Sequence, residues 1–129
     1  MFTGFHSLAE EPEIFEFMKE IKPFIDNIYD RVAVAKECWG NVYDNNDHTT
    51  LHHHKDCTGF CGILYLTEGG PGTYFKDFDT TIKEEYGKVV LFDPLLWHQV
   101  IPSNLQKTRI TMAFNCYEHK PWDNLYLNQ

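Results

Sequence analysis

Three consecutive histidines, His52, His53 and His54, are followed by Lys55 and Asp56, and this short stretch carries the densest set of metal-binding side chains in the chain. In an extended backbone, side chains two apart share a face, so His52, His54 and Asp56 look one way and His53 the other. Two imidazoles, or an imidazole and a carboxylate, make half of a metal site, and the remaining donor must come from a distant segment. His98 is the expected source. It follows an apolar run, Lys88 to Phe92, and a proline-containing turn, and opens the next apolar run. Beyond it, Arg109 and Thr111 alternate with apolar Ile110 and Met112. An arginine facing a β interior is costly unless it meets an anion, which makes Arg109 a candidate carboxylate anchor.

Those residues need a β framework, and the chain reads as one. From about Arg31, short apolar runs alternate with turn residues. The expected strands are Val32 to Ala35, Trp39 to Tyr43, Leu51 to His54, Cys61 to Leu66, Thr73 to Phe75, Lys88 to Phe92, Trp97 to Ile101 and Arg109 to Asn115. Asp44 to Asp47 and Glu68 to Gly72 are turn signals. Ahead of them, Glu11-Pro12-Glu13 opens a helical stripe of Ile14, Phe17, Met18, Ile21, Phe24, Ile25 and Ile28, interrupted by Pro23. One kinked helix or two short ones should cover a sheet. The fold class expected is mainly β, a double-stranded β-helix or jelly roll with an N-terminal helical segment packed on one sheet. With 129 residues the chain fits one domain: a helical segment at about 11–30, a β core at about 31–116 and a tail at 117–129.

Composition narrows the partners. Eleven Lys and Arg against 19 Asp and Glu give a net charge of −8, which disfavours nucleic acid. No run approaches the roughly 18 apolar residues of a spanning helix, and the first 20 residues lack a signal-peptide pattern, so no membrane association and a cytoplasmic location are expected. Cys38, Cys57, Cys61 and Cys116 lack C-x-x-C spacing and should be free thiols.

Taken together, His54-Lys55-Asp56, the distal His98 and Arg109-x-Thr111 resemble the signature of the Fe(II)/2-oxoglutarate-dependent dioxygenase superfamily: H-x-D/E, a later H, and an R about ten residues beyond it. Gly69-Gly70-Pro71-Gly72-Thr73-Tyr74-Phe75 is similar to a segment of its small prolyl-hydroxylase-like members, and the likeness covers roughly residues 39 to 115. The resemblance implies that His54, Asp56 and His98 hold Fe(II), leaving open positions for 2-oxoglutarate and O2. It also implies that Arg109, with Thr111 and Tyr65 or Tyr43, binds the far carboxylate of 2-oxoglutarate. Decarboxylation to succinate would then be coupled to hydroxylation of a C–H bond.

Two readings of the histidine cluster stay open. Counted forward from Trp39-Gly40-Asn41-Val42-Tyr43, the motif is His52-x-His54; counted backward from Cys61-Gly62-Ile63, it is His54-x-Asp56. The second is preferred because it supplies a carboxylate and because the Asp44 to Thr50 turn absorbs extra residues more easily than a strand does. A cupin-type metal enzyme is the alternative; it would place a Glu four or five residues beyond H-x-H, where Thr58 and Gly59 stand. A non-catalytic jelly-roll binding or assembly module is the other. The short chain leaves an open mouth suited to a peptide or protein side chain such as proline, or to a small molecule. It also leaves sheet edges that a homo-oligomer would cover.

Overall fold

The computed structural model describes residues 2–3, 7–30 and 33–118. Val32, His6, His119, Trp122 and most of the expected tail therefore lie outside the described residues. The elements, in order, are β1 (Phe2–Thr3), a 3-10 turn (Ser7–Glu10), α1 (Pro12–Ile28), β2 (Ala33–Tyr43), β3 (Phe60–Tyr65), β4 (Thr73–Phe75), a second 3-10 turn (Lys76–Phe78), β5 (Thr80–Ile82), β6 (Val89–Phe92), β7 (His98–Val100) and β8 (Arg109–Glu118). Two antiparallel sheets result, five-stranded β1-β2-β8-β3-β6 and three-stranded β5-β4-β7.

The larger sheet separates two cores because its side chains alternate with period two. On β8, Met112, Phe114 and Cys116 face α1, where Phe17 packs edge-on against Phe114 at 5.8 Å. Removing a ring so enclosed costs about 3–5 kcal/mol. The intervening Arg109, Thr111, Ala113 and Asn115 face the smaller sheet. Across that gap Cys61, Ile63, Tyr65, Phe75 and Phe92 form the second core.

α1 is a single helix that starts with Pro12 in its first turn, as its fixed φ allows. Pro23 does not end it, and lies on the exposed side, away from the sheet. The buried stripe is narrower than the sequence suggested: Ile14, Phe17, Met18, Ile21 and Ile25 reach the sheet, whereas Phe24 and Ile28 are about two-thirds exposed. Among the described residues, no helix is long and apolar enough to cross a membrane.

Two differences from the expected strands matter for the site. First, β2 is one strand rather than two, with a register shift between Ala35 and Glu37. This bulge changes the phase of alternation, so Ala33, Ala35 and Cys38 face α1 while Trp39, Asn41 and Tyr43 face the interior. Second, Leu51 to His54 is not a strand. A lone backbone bridge joins His52 to His98 there, and a turn follows in which the Cys57 N–H donates to His54 O at 3.1 Å.

Candidate metal centre

The structure gathers three imidazoles, those of His52, His54 and His98, with their ligand nitrogens all within 4.8 Å of one another. Ring centroids are 4.3 Å apart for His52 and His98, 5.2 Å for His52 and His54, and 5.1 Å for His54 and His98. Backbone bonds set these positions. His52 and His98 exchange reciprocal N–H···O bonds of 2.9 Å, and the His54 N–H donates to Pro94 O at 2.8 Å.

Hydrogen bonds also settle which nitrogen is available. His52 Nδ1 lies 2.7 Å from Thr50 O, and His98 Nδ1 lies 2.9 Å from Leu96 O. A carbonyl only accepts, so each Nδ1 carries the proton and each Nε2 keeps its lone pair for a metal. Burial holds the His98 imidazole down at about 4, with the neighbouring histidines adding to the effect. Burial likewise lowers His54. Both rings are thus neutral at neutral pH, as ligation requires. Phe92 and Phe75 enclose His98 at centroid distances of 4.7 and 5.8 Å.

The three rings sit on the wall of a cavity of about 220 Å³ between the sheets. Trp39, Asn41, Tyr43, Thr111 and Asn115 line its larger-sheet side, and Thr73 and Val100 the smaller-sheet side. Asn41 donates to the Thr111 hydroxyl at 3.3 Å. The Tyr65 hydroxyl does not reach the cavity wall directly; it pairs at 2.7 Å with Thr73, which does.

Of the preferred metal set, His54 and His98 come together and Asp56 does not join them. Asp56 is exposed and lines a separate open depression with Glu37, Lys55 and Tyr117. The turn at His54 to Cys57 breaks the alternation before Asp56, and the third member of the cluster is His52, as in the forward count. His53 points elsewhere and packs at a tilt against the half-exposed Trp97, with ring centroids 4.2 Å apart. The four cysteines are buried free thiols.

Arg109 is fully buried on the interior face of β8. Its Nη2 donates to Asp47 O at 2.9 Å, and its guanidinium carbon lies 5.4 Å from the centre of the Tyr43 ring. Nη1 lies 3.7 Å from Glu84 Oε2 in an ion pair almost wholly shielded from water. The anion beside Arg109 is therefore internal. Glu84 sits outside every expected strand and had no periodic signal to expose it. Its carboxylate fits because residue 70 is glycine: a Cβ there would lie 1.8 Å from Glu84 Oε1. Asn41 and Asn115 were also missed as site residues, although strand alternation places them on the same face as Thr111.

No protein-family model matches the sequence, and no curated protein matches it either. Solved structures do. A viral collagen prolyl hydroxylase from Paramecium Bursaria Chlorella virus-1, in its 2OG complex, aligns with TM-score 0.73 at 17% identity, covering 92% of this chain and 79% of that one. An oxidoreductase of the 2OG-Fe(II) oxygenase family from Burkholderia pseudomallei aligns with TM-score 0.70 at 14% identity over 84% of this chain, which spans only 56% of the other's length. HygX from Streptomyces hygroscopicus, with nickel and 2-oxoglutarate bound, aligns with TM-score 0.65 at 12% identity, covering 85% and 69%. Antiparallel strands in two facing sheets, with one helix packed on the larger, give this chain the jelly-roll fold of the 2OG-Fe(II) oxygenases.

Proposed function

We propose that the chain is an Fe(II)- and 2-oxoglutarate-dependent oxygenase that hydroxylates a C–H bond, with His52, His54 and His98 as the metal ligands. The observation that carries this reading is the convergence of three imidazoles, two of them fixed with Nε2 free, on an interior cavity. Imidazole nitrogens suit a divalent first-row metal, iron included. When bound, such an ion supplies the redox chemistry that couples O2 and 2-oxoglutarate to hydroxylation.

The residues also fit a dicarboxylic acid. Arg109 Nε and Nη1 are buried without a hydrogen-bond partner, and Asn41, Asn115 and Thr111 present polar groups to the cavity, whose wall Arg109 itself does not join. Arg109 would hold the far carboxylate, while the histidines orient the ion at the other end. Tyr43, stacked under the guanidinium, shields it from water. The substrate we infer is a peptide or protein side chain such as proline, on the likeness to the viral collagen prolyl hydroxylase.

Incubation with Fe(II), O2 and 2-oxoglutarate should yield succinate in the wild type and none in His98→Ala. A protein that binds iron and forms no succinate would overturn the 2-oxoglutarate reading. That outcome would favour a second one, a metal enzyme working without this co-substrate, to which the all-nitrogen ligand set and the internal partner of Arg109 already lend support.

A further inference from the structure

Glu84 and Arg109 are opposed by charge and yet are not seated as a hydrogen-bonded pair. Their closest approach is 3.7 Å, both Glu84 oxygens lack a hydrogen-bond partner, and Arg109 Nε and Nη1 are likewise without one. The carboxylate occupies the space left by the missing side chain at Gly70, and the Gly70 and Glu84 backbones are bonded to each other, so Glu84 is delivered to the guanidinium by a built loop. One buried cation balances one anion. A second carboxylate brought to Arg109 would leave a net buried negative charge, which a low-dielectric interior penalises heavily.

Resting on the proposed use of Arg109 as the co-substrate anchor, we propose that Glu84 is an internal competitor for that anchor. A dicarboxylic 2-oxo acid binds by exchanging with it, and residue 84 sets how strongly the site prefers a dicarboxylic over a monocarboxylic 2-oxo acid.

The test is a calorimetric titration of Ni(II)-loaded protein with 2-oxoglutarate and with 2-oxopentanoate, which keeps the five-carbon 2-oxo acid but replaces the far carboxylate by a methyl group. In the wild type the two acids should differ by no more than about threefold in affinity, because the benefit of the far carboxylate is offset by displacement of Glu84. Glu84→Gln should raise 2-oxoglutarate affinity about tenfold or more and leave 2-oxopentanoate within about threefold. Glu84→Asp, which keeps the charge but withdraws it by one methylene, should shift the ratio in the same direction and serves if the Gln variant is poorly folded. Arg109→Gln should abolish the preference for 2-oxoglutarate that the Glu84 variants gain.

A ratio unchanged in both Glu84 variants, with 2-oxoglutarate binding still dependent on Arg109, overturns the competitor role and leaves the oxygenase reading standing. Failure of metal-loaded wild type and variants to bind either acid overturns both.

Discussion

His52 and His98 form a closed backbone pair, each donating its N–H to the other's carbonyl at 2.9 Å, with their rings 4.3 Å apart. Main-chain bonds, rather than side-chain packing, thus bring two of the three imidazoles together. His52→Ala should consequently remove a proposed ligand without disturbing the pair, and weaken Co(II) or Fe(II) binding by about 100-fold or more, beyond what loss of a supporting group costs. Asp56→Ala should leave affinity within about threefold, since this carboxylate lies outside the cluster. Equilibrium dialysis with metal analysis distinguishes the two, and the opposite ranking would restore the His-x-Asp reading.

Removing Arg109 strands a buried anion. Arg109→Met should destabilise the fold by about 3–5 kcal/mol in urea unfolding, because Glu84 is left unpaired. Adding Glu84→Gln to that variant should recover a large part of the loss, and additive single effects would show that the two side chains do not interact.

Glu84 also predicts a pH dependence. Burial holds its carboxyl above the ordinary value of 4.5, outweighing the pull of Arg109 and Lys107. The folded state thus keeps this proton to a higher pH than the unfolded chain does. Its contribution to stability is largest in acid, falls as pH rises from about the ordinary value through the raised one, and then levels off. The difference in unfolding free energy between wild type and Glu84→Gln, measured across that window, should decline with rising pH. A difference that grows instead would mean that the ion pair outweighs burial.

Two glycines should resist substitution for separate reasons. A Cβ on Gly62 would lie 2.1 to 2.7 Å from atoms of the Phe114 ring, so Gly62→Ala should overpack the helix-facing core and cost about 1–3 kcal/mol. Gly87 has open space around it but a φ of +83°, so Gly87→Ala should cost about 1–2 kcal/mol through backbone strain alone. Thermal unfolding with both variants checks the magnitudes. Pairing each with Phe114→Leu separates the mechanisms, since only the Gly62 effect should be relieved by a smaller neighbour.

Much of the architecture was legible because alternation and turn chemistry are local. β3, β4 and β6 to β8 fall where apolar runs and Gly or Asn turns placed them, and the interior face of β8 follows from Arg109, Thr111 and their apolar neighbours. The rest depended on events that leave no periodic trace. The bulge near Lys36 reverses which residues of β2 face inward, and the turn after His54 ends the same-face rule before it reaches Asp56. Sequence alone could weigh a carboxylate against an imidazole as the third donor, but only the bridge between His52 and His98 decides which is near. Glu84 was out of reach altogether, since nothing in a loop's composition tells that one of its acids turns inward.

Gly70 lies in a stretch that reads as an ordinary turn, yet its own φ is not among the positive ones; glycine stands there for room, because any larger residue would collide with Glu84. Positions 70 and 84 should therefore change in concert. In natural variants of this chain, a side chain gained at the first should accompany a shortened or uncharged residue at the second, leaving a mark of the buried pair in sequences alone.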